Sequence, residues 1–258
     1  MMNIESKILS LYHEDDYRDD DYQRWNGSIA AQPFTDWKQV LSTKDESQVN
    51  ELLAHHHEDP VLSCTYDHEW NTTRWWYGSN LVINQTSDTD VVVEIGPGSH
   101  ATVAGHVLQS KYSTVKCYIL CDLVSPLLLA YYNLSKDHDV HYVTPGDNLE
   151  TLITQHKCIL LPHHLSNKLY TLSGAVYYNS YSFSEMSEDE IHHYMDIIMT
   201  TRSRLLSENY MTGNGACHLC GVKYRALNSY LPKQLNILAR FKPPTPTNVG
   251  SEVIIAQS

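Results

Sequence analysis

The sequence is short of positive charge, of long apolar runs and of any cysteine framework, and each shortage excludes something. Against 30 acidic residues stand only 18 lysines and arginines, a formal net charge of -12. Affinity for nucleic acid comes largely from clustered cations that neutralise phosphates, so nucleic acid is set aside as a partner. No stretch reaches the roughly 18 to 20 apolar residues of a membrane helix. Even Cys117–Leu134 is broken by Asp122, Ser125 and Pro126. The N-terminal region runs into Glu14-Asp15-Asp16 and Asp19-Asp20-Asp21 instead of a basic segment followed by an apolar one, so a soluble, cytoplasmic protein with no membrane partner is expected. The six cysteines are scattered and several lie in apolar runs, where a reduced, buried thiol is usual.

What is present divides the chain in two. Residues 1–88 read as a mainly helical cap or lid, with spaced apolar positions over Ile4–Tyr12 and Trp37–Ala54. Near its end Trp70, Trp75 and Trp76 crowd together. Such rings stack on a flat ligand or a sugar face, which makes Trp75 and Trp76 candidate substrate contacts; packing into a core explains them equally well. Residues 89–258 change character. Short apolar runs at Val91–Ile95, Cys117–Leu123, Val140–Val143, Ile159–Leu161 and Ala175–Tyr178 alternate with helical patterns at Ala101–Gln109, Pro126–Ser135, Leu149–Gln155 and Glu188–Leu206. Continuous apolar strands are buried on both faces, so the pattern predicts a doubly wound, mostly parallel α/β sheet of Rossmann-like form. Val253–Ala256 is expected to add an antiparallel edge strand.

One segment carries chemistry. Val91–Ile95 runs into Gly96-Pro97-Gly98-Ser99-His100 and then a helix. At the carboxyl end of a strand, a bare-backbone turn and the N–H groups of a helix start form a place for a ligand with an anionic group. The second strand ends at Asp122, whose carboxylate suits the two hydroxyls of a ribose. Strand, turn, helix and acid together indicate a nucleoside-containing cofactor. A dinucleotide fingerprint would place a third glycine where Ala101 stands and has no need of Glu94 before the first.

The Glu94-Ile95-Gly96-Pro97-Gly98 form resembles motif I of class I S-adenosylmethionine-dependent methyltransferases, although His100 stands where that motif usually continues with glycine. The resemblance implies that S-adenosylmethionine is the cofactor and that Glu94, Gly96, Pro97, Gly98, Asp122, Leu123 and Asn179 surround it. Downstream, Tyr118–Leu123, Leu129–Ser135, Leu160–His164 and above all Asn179-Ser180-Tyr181-Ser182-Phe183-Ser184-Glu185-Met186 resemble the sugar O-methyltransferase family of bacterial polysaccharide and natural-product clusters. That implies a small-molecule acceptor carrying a sugar hydroxyl, with Tyr181 and Ser182 among its contacts. A hydroxyl needs a general base, and His163, His164 and Glu185 follow predicted strands at the catalytic edge, though each also fits a structural hydrogen bond. A capping box is expected from Ser187 to Glu190. Cys217-His218-Leu219-Cys220 supplies half of a zinc knuckle without a second pair at suitable spacing, so no metal is assigned. A methyltransferase for another acceptor and a non-catalytic Rossmann-like binding protein stay open, and the oligomeric state is unspecified.

Overall fold

The computed structural model describes residues 68–87, 90–98, 101–211, 225–242 and 251–258, with the side chains of 68–76, 125, 128, 129 and 132 left aside. Most of the sequence's cap, including Ile4–Tyr12 and Trp37–Ala54, the half zinc knuckle, and the side chains of Trp70, Trp75 and Trp76 therefore fall outside what is described.

In chain order the elements are α1 (His68–Gln85), β1 (Val91–Ile95), α2 (Thr102–Gln109), β2 (Cys117–Asp122), α3 (Val124–Leu134), β3 (Val140–Tyr142), α4 (Leu149–Gln155) and β4 (Cys158–Pro162). A 3₁₀ helix (His163–Thr171), β5 (Val176–Ser180), α5 (Ser182–Glu185), α6 (Glu188–Thr200), β6 (Arg204–Tyr210), β7 (Asn236–Phe241) and β8 (Ser251–Gln257) follow. The strands form one eight-stranded sheet in the order β3-β4-β2-β1-β5-β6-β8-β7. Strands β1 to β6 run parallel, and β8 pairs antiparallel with both β6 and β7. The doubly wound, mostly parallel α/β sheet is as the sequence predicts.

Period-two alternation sorts each buried strand between two cores. Val92, Tyr118, Leu120, Val176, Tyr178 and Leu206 pack on one face beneath α1, α2 and α3, whereas Val93, Ile119, Cys121, Tyr177 and Leu205 pack on the other beneath the 3₁₀ helix and α6. Strand order reverses at β1, whose neighbours are β2 on one side and β5 on the other. A reversal of this kind opens a crevice at the carboxyl ends of the strands, which is where Gly96 and Gly98 stand.

Two sequence expectations need correction. The helix predicted over Glu188–Leu206 stops at Thr200; Arg202 takes a left-handed φ of 53°, and the chain turns into β6, so Leu205 and Leu206 are strand residues. Amphipathic helix and buried strand share the same apolar letters here, and the short Thr201-Arg202-Ser203 break hides the change. The C-terminal strand is antiparallel, but it is internal: β7, which the sequence reading missed, lies outside it with Ile237, Leu238 and Phe241 exposed. Its apolar run, Ile237-Leu238-Ala239, is short and lies between Asn236 and Arg240, so nothing local separates it from a loop.

Candidate functional site

The glycine turn is shaped by two left-handed residues, Gly96 at φ 68° and Gly98 at φ 70°. Gly96 still belongs to the sheet, since its N–H donates to the Cys121 carbonyl at 2.9 Å. Sequence reasoning gives both glycines the same purpose, but the structure separates them. A Cβ on Gly96 would overlap Ser182 of the protein itself, whereas a Cβ on Gly98 meets none of the described residues within 4 Å. Gly96 makes room for α5; Gly98 stands at the exposed tip of the turn. Ser99 and His100 lie outside the described residues.

Asp122 ties this turn to β2. Its Oδ2 accepts from the Gly98 N–H at 3.0 Å and its Oδ1 from the Leu123 N–H at 2.7 Å. The side chain is buried, and that desolvation pushes its pKa up to about 6 even though the Leu123 and Gly98 N–H groups pull it down. A carboxylate has about four lone-pair positions, so each oxygen keeps one for a further donor. Two neighbouring hydroxyls match that remainder, so the residues present fit a ribose. Glu94 sits deeper: it is buried on the face beneath α1 and its Oε2 accepts from Tyr118 OH at 2.8 Å. Pro97 is half-buried between the two glycines.

Asn179 lies directly beside Ile95 in the β1–β5 ladder and is fully buried. Its Nδ2 donates to the Ile95 carbonyl at 2.8 Å and to Ser182 Oγ, while its Oδ1 accepts from Asn209 Nδ2 at 2.6 Å and from the Phe183 N–H at 3.3 Å. Both ends of its amide are thus engaged in bracing the turn, and Ser182 Oγ reinforces it by donating to the same Ile95 carbonyl at 2.8 Å. Tyr181 adopts a left-handed φ of 66°, held by its N–H to the Glu208 carbonyl at 2.7 Å. A non-glycine residue in that region is held there by its surroundings, and such residues concentrate at functional sites. Glu185 ends the single turn of α5 and is half-buried.

The histidine pair lies elsewhere along the edge. Pro162 is the register partner of Asp122, so His163 and His164 follow the strand on the far side of β2. From β4 to β5 the sheet crosses β2 and β1, three strand spacings or about 14 Å. His163 is buried, shares a hydrogen bond of 2.8 Å between Nδ1 and Tyr194 OH, and has its Nε2 3.5 Å from Glu190 Oε1. Tyr194 OH in turn meets Cys121 Sγ at 3.3 Å. His164 is half-buried at the start of the 3₁₀ helix. The expected capping box is present: Ser187 accepts from the Glu190 N–H while Glu190 Oε2 accepts from the Ser187 N–H at 3.0 Å.

Sequence reasoning passed over Glu208 and took Ser180 only as part of the segment Asn179–Met186. Glu208 lies just past the over-long predicted helix, and its neighbours Ser207 and Asn209 break the apolar run of the kind that marks Asp122. Among the described residues no group of three or more His, Cys, Asp or Glu side chains is arranged to hold a metal, and no helix is long and apolar enough to cross a membrane.

No protein-family model and no curated protein matches the chain. Among solved structures it is similar to a mitomycin 7-O-methyltransferase (14% identity, TM-score 0.47, 80% of this chain and 60% of that one). It is also similar to a glycopeptide N-methyltransferase complexed with S-adenosyl-L-methionine (11%, TM-score 0.47, 69% and 91%). An N-methyltransferase from Bradyrhizobium japonicum gives 10% identity and a TM-score of 0.46 over 74% of this chain and 98% of that one. The chain spans only about three-fifths of the mitomycin enzyme and of a pyocyanin biosynthetic protein that it also resembles in fold.

Proposed function

We propose that the protein is an S-adenosylmethionine-dependent methyltransferase that methylates a hydroxyl of a small molecule, a sugar or sugar-bearing compound. The observation that carries this reading is the junction of Gly98 and Asp122 at the point where the strand order reverses. A buried carboxylate with lone pairs to spare there adjoins a turn whose tip is exposed. The carboxylate suits the ribose, and Gly98 lets the backbone approach the rest of the cofactor. In this reading Glu94 and Asn179 support the site from beneath, and Leu123 fixes Asp122 through its N–H. S-adenosylmethionine supplies an electrophilic methyl group; the protein's task is to align the acceptor oxygen and remove its proton.

The sugar acceptor rests on the resemblance of Asn179–Met186, with Tyr181, Ser182, Trp75 and Trp76 as its proposed contacts and residues 1–88 as a cap over residues 89–258. Of the three candidates for the base that the sequence offers, Glu185 stands on the β5 side of the turn and His163 and His164 on the β4 side. A soluble, cytoplasmic enzyme is the setting this reading assumes. Calorimetric titration with S-adenosylmethionine tests it. Saturable binding at one site, lost or strongly weakened in Asp122→Ala, is the expected result. An absence of binding to S-adenosylmethionine and to its demethylated product would refute the proposal.

A further inference from the structure

At the carboxyl end of the sheet, on the side of the glycine turn away from Asp122, two polar residues face the same way. Ser180 and Glu208 are register partners in the β5–β6 ladder. Two residues earlier on each strand Tyr178 and Leu206, also partners, lie in the core beneath α1, so period two puts Ser180 and Glu208 on that face as well. The Ser180 hydroxyl is buried and has no hydrogen-bond partner among the described residues. A buried hydroxyl left without a partner is costly to keep. Beside it Glu208 is 1% exposed, and the Tyr181 OH donates to its Oε1 over a long 3.4 Å. Tyr210 packs edge-on against Tyr181 with ring centroids 5.4 Å apart. The hydroxyl of Tyr77 on α1 titrates above its ordinary value, first because it is part-buried and then because it feels the charge of Glu208.

We propose that Ser180 and Glu208 are the polar pair that holds the acceptor's hydroxyl, with Glu208 taking its proton, and that Tyr181 and Tyr210 wall the subsite for a ring-bearing molecule. The inference rests on the methyltransferase reading and names the acceptor side of that site. A hydroxyl is both donor and acceptor, and this pair offers the complement: the Glu208 carboxylate accepts from the acceptor's O–H while the Ser180 O–H donates to the same oxygen. In the transfer, that oxygen bonds to the methyl carbon as the carbon–sulfur bond breaks and its electron pair stays on sulfur. The O–H proton passes to Glu208, which later releases it to water. Tyrosine faces and edges suit the apolar side of a sugar or an aromatic ring. Tyr181 owes its left-handed backbone partly to the Glu208 carbonyl, so the same residue that carries the base also positions one wall.

The test uses the full chain with phenyl β-D-glucopyranoside, which bears both ring and hydroxyls, and benzylamine as a cationic counterpart. Saturation-transfer NMR reads binding of each, mass spectrometry reads methylation of the glucoside, and calorimetry reads S-adenosylmethionine. Wild type is expected to bind and methylate the glucoside. Glu208→Gln should lower turnover by about 10² to 10⁴ while S-adenosylmethionine affinity is unchanged, and Ser180→Ala should weaken the glucoside roughly tenfold. Matched melting temperatures establish that the variants are folded, and Ser180→Ala, a single-atom deletion, carries the test if Glu208→Gln does not fold. The proposal is overturned if wild type ignores the glucoside, if benzylamine binds in its place, or if Glu208→Gln keeps its rate while Glu185→Gln loses it. A protein that holds the glucoside through Ser180 but fails to bind S-adenosylmethionine would sink the methyltransferase reading and leave the subsite standing.

Discussion

The Gly98 N–H donates to Asp122 Oδ2 across 3.0 Å, so the tip of the glycine turn is fastened to the end of the neighbouring strand by the carboxylate proposed to hold the ribose. Burial raises that carboxyl to about 6, above its ordinary 3.8, and the consequence has a definite sign. Between pH 4 and pH 6 the folded protein binds more protons than the unfolded chain, so this group's contribution to stability falls as pH rises through that window and is level above it. Cofactor affinity moves the other way, because the ionised form is the better acceptor. S-adenosylmethionine should bind more weakly at pH 5 than at pH 7.5 in wild type. Asp122→Asn should bind weakly at both, by about 2 to 3 kcal/mol relative to wild type at pH 7.5, and titration calorimetry at the two pH values checks this.

Gly96 and Gly98 share a backbone conformation and differ in what surrounds them. Alanine in the left-handed region costs on the order of 1 to 2 kcal/mol at either position. At Gly96 the new Cβ would also overlap Ser182, breaking the contact that seats α5 over the turn. Gly96→Ala should therefore lower the melting temperature well beyond Gly98→Ala. Gly98→Ala should lose only that backbone cost in stability and lose cofactor affinity, since its Cβ enters the space proposed for the cofactor. Thermal melts beside binding titrations separate the two, and equal destabilisation would contradict the assignment.

Arg204 joins the start of β6 to the end of α1 and the start of β1. Its Nη2 lies 2.7 Å from Asp90 Oδ2 and its Nη1 donates to the Gln85 carbonyl at 2.7 Å. Asp90 titrates below its ordinary range: burial alone would raise it, but the Ser87 N–H and the Arg204 guanidinium outweigh that. Arg204→Met should cost about 1 to 2 kcal/mol in urea denaturation, discounted for partial exposure. The loss should shrink as Asp90 is protonated, from below its unfolded value downward.

How far the sequence reaches depends on what each residue must satisfy. Strand β1, helix α4 and the Ser187–Glu190 capping box were legible because local rules fix them: a continuous apolar run, an amphipathic turn and a Ser-x-x-Glu spacing. The place of Asp122 at the end of β2 was legible because an acid closes an apolar run there. The jobs of Asn179 and Ser182 were not, since the partners they brace, Ile95 and Asn209, are fixed by the parallel ladder and lie 84 and 30 residues from Asn179. Nor was the separation of His163 from Glu185, which depends on strand order: β4 lies between β3 and β2, with β2 and β1 between it and β5, and no local pattern encodes that.

His163 sits in a buried chain that runs from Cys121 through Tyr194 OH to His163 Nδ1 and on to Glu190 at Nε2. Three elements meet there: the end of β2, the turn after β4 and the first half of α6. Both ring nitrogens face protein groups, and Glu190 has its other oxygen in the cap of α6, immediately after α5. Removing the imidazole leaves Tyr194 OH and Glu190 without it in a site where Tyr194 is fully buried, so the loss is that of a buried network. His163→Ala should cost about 2 to 3 kcal/mol in chemical denaturation, and Tyr194→Phe about 1 kcal/mol, with less than the sum in the double variant because the two share one hydrogen bond. Turnover per folded molecule is the discriminating measurement. If His163 only joins these elements, His163→Ala retains most of it at a temperature well below its melting point. If His163 is the general base, turnover falls by about 10² to 10⁴ with the fold intact, and Tyr194→Phe, which changes only the partner, falls far less.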